Sequence, residues 1–390
     1  AAWYYKAAQF IAGTQTRAAF VSTNSITQGE QVAFVWKPLY EMYGIHIDFA
    51  HRTFKWNSEA TEKAAVHCVI VGFGTGHGGE KVIYSGERKK VAGNINAYLV
   101  DGPNVFIESR DAALCDVPMM VYGNKPTDGG HLFIEAAEYG DFIAREPNAK
   151  KYIKKIYGAT EYINNTDRYC LWLADAEPSE LKKMPLVMER IERVRQFRLS
   201  SPKKATQDSA ATPTLFQEIR QSKNDYIIIP RHSSENRRYI PFGFVSADII
   251  VNDAVLTIPS ATLYHFGILT SNVHMAWVRA VCGRLEMRYR YSKDIVYNNF
   301  PWPDATNEQK AAIEKLAQAI LDARANFPNS SLADLYDERV MPPELITTHR
   351  KLDRAVMDLY GFTKKGFTEA DCVAALLEQY MRLATMDKDM

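Results

Sequence analysis

The sequence predicts a chain in three stretches: the closing half of a doubly wound α/β sheet, then a mixed α+β segment, then a helical C-terminal region. Three observations predict it. Over residues 1–117, apolar strand-like runs alternate with amphipathic helical patterns. Over residues 118–301, short strand signals are separated by turn-rich stretches such as Gly123–Gly130 (GNKPTDGG). From residue 302 to 390, apolar residues recur at helical spacing, as in Ile313, Leu316, Ile320 and in Leu352, Val356, Leu359.

In the first stretch Trp3–Ile11 reads as a helix, Arg17–Ser22 as a buried strand and Gly29–Tyr43 as a helix. Ile45–Phe49 and Ala64–Gly72 (AAVHCVIVG) read as strands apolar enough to be covered on two faces. Phe73–Gly79 (FGTGHGG) has the glycines of a phosphate loop but no Lys-Ser/Thr after them, and Lys81–Ser85 reads as another strand, so a flexible hairpin turn is expected there. In the middle stretch Leu181–Leu199 reads as one amphipathic helix with Arg190, Arg193, Arg195 and Arg198 on its exposed side, and Ser200–Thr212 as mobile. Tyr226–Pro230, Tyr239–Val245 and Asp248–Val251 read as short strands. The last stretch predicts helices over Asn307–Asn326, Ser331–Glu338, Pro342–Tyr360 and Glu369–Ala384.

With 46% hydrophobic and 24% charged residues over 390 positions, the chain can bury a full core. A net charge of +1 argues against a general polyanion binder, yet the average conceals a gradient. Residues 151–300 hold 22 Lys/Arg against 15 Asp/Glu, whereas residues 303–390 hold 11 against 15. A localised basic footprint is expected. Five cysteines without a CxxC pair favour free thiols in a reducing cytoplasm, and no apolar run approaches a membrane span. The opening Ala1-Ala2-Trp3 already lies in a helical pattern without an initiator Met, so the chain reads as a fragment of something longer.

The most informative stretch is Cys282–Pro303 (CGRLEMRYRYSKDIVYNNFPWP). Arg284, Glu286, Arg288 and Arg290 alternate with Leu285, Met287, Tyr289 and Tyr291, which predicts a β-strand with one charged and one apolar face. Arginines and a carboxylate make a poor core face, because unpaired buried charge is costly. They suit the reading of base edges: Arg donates two hydrogen bonds to guanine, and Glu accepts one from the cytosine amino group. The alternative is a solvated strand with cross-strand ion pairs.

Phe20–Gly29 (FVSTNSITQG), Asp48–Trp56 (DFAHRTFKW), the AAVHCVIVG strand and the GRLEMRYRYS…YNNFPWP block together resemble the MmeI-type restriction-modification enzymes. These are bacterial type IIL proteins that fuse an endonuclease, an adenine-N6 DNA methyltransferase and a target-recognition domain. The resemblance covers essentially the whole chain. It implies that residues 1–117 are the C-terminal half of a Rossmann-like methyltransferase sheet, 118–301 the target-recognition domain and 302–390 a helical C-terminal region. The family's Asn/Asp-Pro-Pro-aromatic catalytic motif is not in the sequence, and neither are the glycine-rich S-adenosylmethionine loop and the nuclease motif. The resemblance therefore places S-adenosylmethionine in the missing N-terminal half and Mg²⁺ with an upstream nuclease, and the fragment alone is expected to be inactive.

By the same resemblance, Phe54 stacks on a flipped-out adenine, where an aromatic face restores about 1–3 kcal/mol of lost stacking. Phe54 and Trp56 packing on the sheet edge is the alternative, and Ser22–Ser25 fall beside the cleft. Glu286, Arg288 and Arg290 are implied as base-contacting residues, together with Asp253 and Ala254 in the VNDAV turn. Arg231 and His232 are weaker base-contact candidates that, with Arg237 and Arg238, could equally be phosphate clamps. Arg190 and Arg193 are expected at phosphates or on a solvated face. His51, His67 and His274 show no metal-ligand spacing, so no metal is expected in this fragment. The expected partners are double-stranded DNA and the remainder of the polypeptide, with oligomerisation on DNA for cleavage, in a bacterial cytoplasm and without a membrane. A stand-alone DNA-binding specificity protein and an RNA-binding or RNA-modifying protein remain the alternatives.

Overall fold

The computed structural model of the chain describes residues 1–56, 66–76 and 79–388. The N-terminal stretch comprises α1 (Ala2–Ile11), β1 (Arg17–Thr23), α2 (Gln31–Tyr43), β2 (His46–Trp56), β3 (Val66–Gly74), β4 (Lys81–Ser85) and β5 (Arg88–Ala92). One sheet holds the five strands in the order β1-β3-β2-β4-β5. β2 and β4 are parallel, while β3 is antiparallel to both its neighbours, β1 and β2. A reversed strand thus separates two that point the same way. Val32, Val35, Trp36 and Leu39 put the apolar stripe of α2 against this sheet's core, and the Trp36 indole donates to the Ile26 carbonyl at 2.9 Å. The expected hairpin turn after β3 is corrected: β4 pairs with β2 and β5, so the glycine-rich segment leads into a crossover. His77 and Gly78 of that segment, and the first two residues of the Ala64–Gly72 run, lie outside the described residues.

The middle stretch contains β6 (Val121–Tyr122), β7 (Phe133–Glu135), α3 (Ala136–Arg145), β8 (Ile153–Tyr157), α4 (Ala159–Asn164), β9 (Arg168–Leu171), α5 (Pro178–Leu181), α6 (Pro185–Leu199) and α7 (Lys204–Asp208). It continues with β10 (Tyr226–Pro230), β11 (His232–Ser233), β12 (Gly243–Val245), β13 (Ile250–Val251), β14 (Val255–Pro259), α8 (Leu263–Leu269), α9 (Asn272–Val281), β15 (Arg284–Leu285) and β16 (Arg288–Arg290). Three small sheets result, ordered β12-β10-β14-β6, β13-β8-β9-β7 and β11-β16-β15.

Two expectations fail here. Leu181–Leu199 is not one helix, because Pro185 has no amide proton to continue α5 and instead occupies the first turn of α6. Ser200–Thr212 is not a loose segment: it carries α7 and a 3₁₀ turn, Ser209–Ala211. Arg198, expected on the exposed side of α6, is fully buried and pins that segment by donating to the carbonyls of Ser209 at 2.9 Å and Thr212 at 3.0 Å.

The C-terminal stretch is helical, with α10 (Asn307–Ala325), α11 (Leu332–Leu335), α12 (Pro343–Leu359) and α13 (Glu369–Lys388). Thr306 caps α10 in a capping box with Gln309. The core is shared across the sequence. Phe73 of the first sheet, Trp277 of α9, Tyr289 of β16 and Leu352 of α12 belong to one buried cluster, whereas Ile134, Ile156 and Val187 form a second around the β7–β9 sheet. The short β11-β16-β15 sheet therefore stands on the larger core, shared with the first sheet and with the C-terminal helices. Among the described residues no helix is long and apolar enough to cross a membrane.

Candidate nucleic-acid interface

The alternating Arg284–Tyr291 stretch is a tight hairpin and not the single strand expected. Leu285 pairs with Arg288 across a two-residue turn, and Glu286 at its first position has φ +58°. β16 then pairs with β11, His232 opposite Arg290. Tyr289 and Tyr291 point into the core, while Leu285 is exposed, so only the second strand keeps the expected two-faced character. Glu286 and Arg288 stand together at the tip, their side chains 69% and 49% exposed and 3.2 Å apart. Both lie in solvent, where an ion pair contributes little to stability. Nothing in packing requires this pair of charges.

Arg231, Asp253 and Ala254 are brought against the same small sheet. The Arg231 amide donates to the Ala254 carbonyl at 3.2 Å, and its guanidinium donates to the Asp253 carbonyl at 2.8 Å. The Arg231 carbonyl in turn accepts from the Tyr291 amide at 2.7 Å. Arg231 is thus the joint between the Asn252–Ala254 turn and the hairpin, with its guanidinium 5.0 Å above the Tyr122 ring. Burial, and then the charges of Arg231, Arg290 and Arg288, hold the His232 pKa below its ordinary value. Three guanidiniums within electrostatic reach of one imidazole make a concentrated positive face. A groove of about 290 Å³ runs beside it, lined by Ser25, Gln28, Tyr122, Arg231 and Arg290 among others.

Arg237 and Arg238 follow β11 in the loop to Tyr239. Arg237 is half-buried near Ser233, and exposed Arg238 donates to the Tyr239 hydroxyl at 3.1 Å. Arg190 has a different setting. Its guanidinium donates to the carbonyls of His131 at 3.1 Å and Phe133 at 2.7 Å and lies over the Phe142 ring, which makes it a strut of the second core. Arg193 stays exposed and pairs with Glu189 one turn away at 2.5 Å.

In the first sheet Phe54 lies half-buried near the end of β2, opposite Cys68 and just past an irregularity in the strand pairing. Trp56, 47% exposed, is on the same side with its ring 6.3 Å away. Residues 57–65, which follow, are outside the described residues. Ser22 is turned back to the Tyr4 hydroxyl at 2.8 Å, Thr23 and Ser25 bond each other at 2.9 Å, and Asn24 reaches the Met287 sulfur at 3.9 Å. That last contact joins the end of β1 to the hairpin. Between them opens a cleft of about 490 Å³, whose walls include Arg52, Leu99, Arg279, Arg284, Met287 and Glu369.

Three family models match consecutive parts of the chain: the DNA-methyltransferase domain of MmeI over residues 1–85, its target recognition domain over 101–304 and its C-terminal domain over 305–386. The chain belongs to the MmeI family. It is 41% identical over 383 residues to DNA methyltransferase A of Bacillus subtilis (strain 168), covering 98% of this chain and 43% of that protein. It superposes with a TM-score of 0.92, at 49% identity, on the structure of the type IIL restriction-modification enzyme MmeI in complex with DNA, covering 98% of this chain and 52% of that one. The chain thus spans about half the length of the relatives it matches.

A methyltransferase family implies S-adenosylmethionine. The glycine-rich segment of this MmeI-family chain does not fit it as a cradle. The segment runs on into β4 and not into a helix N-terminus that could hold a charged ligand, and the end of the Gln15 side chain lies against Gly76. No step through the cofactor is derived from these residues. Among the described residues no group of three or more His, Cys, Asp or Glu is placed to hold a metal ion. His51 stacks on Tyr84, and buried His274 bonds the Tyr291 hydroxyl at 2.9 Å.

Sequence reasoning missed Arg52 and Arg279 of the cleft, and it set Arg284 on a charged strand face where the fold makes it part of the cleft wall. The Arg52 Nε donates to the Leu99 carbonyl at 3.0 Å, and Leu99 itself has φ +57°. A bulky residue in that conformation leaves no pattern in a sequence that a reader could find.

Proposed function

We propose that this chain is the sequence-reading part of a type IIL restriction-modification protein that methylates N6 of an adenine flipped out of a short duplex site. The observation that carries the reading is the hairpin tip, where a carboxylate and a guanidinium are paired and exposed while Tyr289 and Tyr291, which follow them, are buried. On binding, the pair exchanges its mutual contact for a C·G pair, Glu286 accepting from cytosine N4 and Arg288 donating to guanine O6 and N7. Arg290, Arg231, Asp253 and Ala254 contact the adjoining base pairs. Ala254, without a hydrogen-bonding side chain, allows close approach or meets a thymine methyl. Arg237, Arg238 and Arg193 contact phosphates, which set register without reading sequence. Arg190 is left out because its guanidinium donates to two backbone carbonyls and faces the Glu138 carboxylate at 3.6 Å.

Phe54, with Trp56 beside it, stacks on the extruded adenine. The methyl donor, S-adenosylmethionine, and the Mg²⁺ of a nuclease act in the remainder of the complete protein, in a bacterial cytoplasm, and cleavage draws on copies meeting on DNA. The test is selection of the 390-residue chain on a random duplex library at moderate salt. The reading requires one enriched motif that Glu286→Ala and Arg288→Ala alter, with Arg288→Ala losing about 1–3 kcal/mol of specific binding. A motif unchanged in both variants would remove the hairpin from the assignment. Preference for structured RNA over duplex DNA in competition would overturn the reading as a whole.

A further inference from the structure

Helix α9 runs directly into the hairpin through Cys282 and Gly283, so whatever fixes α9 fixes the tip. The C-terminal helices grip it at both ends. At its start the Asp353 carboxylate of α12 accepts from the Asn272 amide at 2.8 Å, and its second oxygen accepts from the Tyr239 hydroxyl at 2.6 Å. Near its end the Arg279 guanidinium donates to both oxygens of Glu369, the first residue of α13, at 2.7 and 2.9 Å. The same residue continues inward. The Arg279 carbonyl accepts from Arg284 at 3.3 Å, and the other Arg284 nitrogen donates to the Met287 carbonyl at 3.0 Å, inside the two-residue turn. The Arg284 guanidinium lies 4.5 Å from the Tyr289 ring centroid. A continuous hydrogen-bonded path thus leads from Glu369 through Arg279 and Arg284 to the residue next to Glu286.

We infer that Glu369, Arg279 and Arg284 are positioning residues for base recognition, and that the C-terminal helical region sets the sequence specificity of the hairpin it never touches at the tip. The inference rests on the proposed reading of Glu286 and Arg288. Its physical basis is the steep dependence of bidentate base contacts on placement: a recognition group must be held by a supporting shell, and one held loosely loses discrimination before it loses binding. A turn whose first position is a non-glycine residue at φ +58° has a cost of its own and needs support from outside. Arg284 supplies that support on the Met287 carbonyl, and Glu369 holds the helix end from which Arg284 is braced.

The experiment is selection on a random duplex library with the 390-residue chain, its Glu369→Ala, Glu369→Gln and Arg284→Ala variants, and Arg339→Ala as a control. Arg339 pairs with Asp337 and shares no hydrogen bond with Glu369, Arg279 or Arg284. Each variant is first shown to melt cooperatively. Should Arg284→Ala fail that check, Glu369→Ala carries the test, because the Glu369 side chain is 52% exposed and its removal opens no cavity. In Glu369→Ala the preference at the base pair assigned to Glu286 and Arg288 is expected to fall about tenfold, with the rest of the motif retained. Glu369→Gln, which keeps one acceptor for the guanidinium, is expected in between, and Arg339→Ala to match the parent. An unchanged motif in folded Glu369→Ala, or an equal loss of affinity on all duplexes, would overturn the inference. A parent chain that enriches no motif would sink the functional reading itself, and this inference with it.

Discussion

Gly29 and Gly283 meet backbone to backbone: a Cβ on Gly29 would stand 3.1 Å from the Gly283 Cα. The Gly29 amide also donates to the Val281 carbonyl at 3.0 Å, so the loop after β1 is seated on the base of the hairpin. Gly29 has φ +54°, a region that L-residues occupy at a cost of about 1–2 kcal/mol. Gly29→Ala should therefore destabilise the chain by at least that amount in denaturant unfolding. Gly283→Ala is the matched control, since its Cβ would lie 3.9 Å from the Gly29 Cα in ordinary contact. Equal losses in the two variants would show that the seam is not a close-packed one.

Arg198 offers a second test of stability. Buried completely, it donates five hydrogen bonds to the carbonyls of Pro126, Thr127, Ser209, Thr212 and Leu215. Arg198→Met keeps much of the volume but leaves those carbonyls without their donor, which should cost about 3–5 kcal/mol. Loss of the α7 segment to limited proteolysis should accompany it. A variant as stable as the parent would mean that water replaces the guanidinium.

Why Arg198 and the hairpin were misread has a common physical cause. A two-residue turn preserves the period-two alternation of the strands it joins, so Arg284–Tyr291 carries the same pattern whether straight or folded. The usual signal of such a turn is a glycine or asparagine at positive φ, and Glu286 occupies that position instead. Likewise Arg198 follows Arg190, Arg193 and Arg195 in a basic series, and nothing in its chemistry says that five carbonyls converge on it. The apolar strands β3 and β10 and the C-terminal helices were legible, since runs such as Tyr226–Pro230 bury every residue and α10 and α12 repeat at helical spacing. Glu286, Arg288, Asp253 and Ala254 were legible as candidates through family resemblance. Their convergence through Arg231 required the fold.

Acid should unfold this protein through its buried histidines. His274 is enclosed against Tyr291 and Phe300, and burial pushes its pKa down to about 3 from an ordinary 6.5. His349, stacked on Tyr239 and bonded to Tyr336, is held well below its ordinary value by burial and then by the charges of Arg324 and Arg238. Both are neutral when folded. Their contribution is complete above pH 6.5 and is lost as pH falls from there, for His274 down to about 3, because the unfolded chain takes up protons that the folded chain refuses. Each contributes at most about 1.4 kcal/mol of lost stability per pH unit. Burial raises the Asp353 pKa and acts in the opposite sense, removing stability as pH rises above 3.8 through its folded value. Denaturant midpoints measured between pH 7 and 4 should fall, and fall less steeply in His274→Gln. A His274→Gln profile parallel to that of the parent would exclude His274 as the group responsible.

Salt separates the two classes of contact proposed for the arginines. A phosphate contact releases counterions, so each one steepens the dependence of log K on log salt by about 0.9, whatever the sequence bound. Arg237→Ala plus Arg238→Ala should therefore flatten that slope by nearly 2 while leaving the selected motif intact. Arg288→Ala should change the motif, and its loss of affinity should be largest on the best site and small on random duplex. The contrast follows from geometry as well as chemistry. Arg238 is set in a loop held by the Tyr239–Asp353 bond, off the hairpin, whereas Arg288 shares its tip with Glu286. If Arg237→Ala plus Arg238→Ala instead alters the motif at constant slope, that loop reads bases and the basic face is wider than the hairpin.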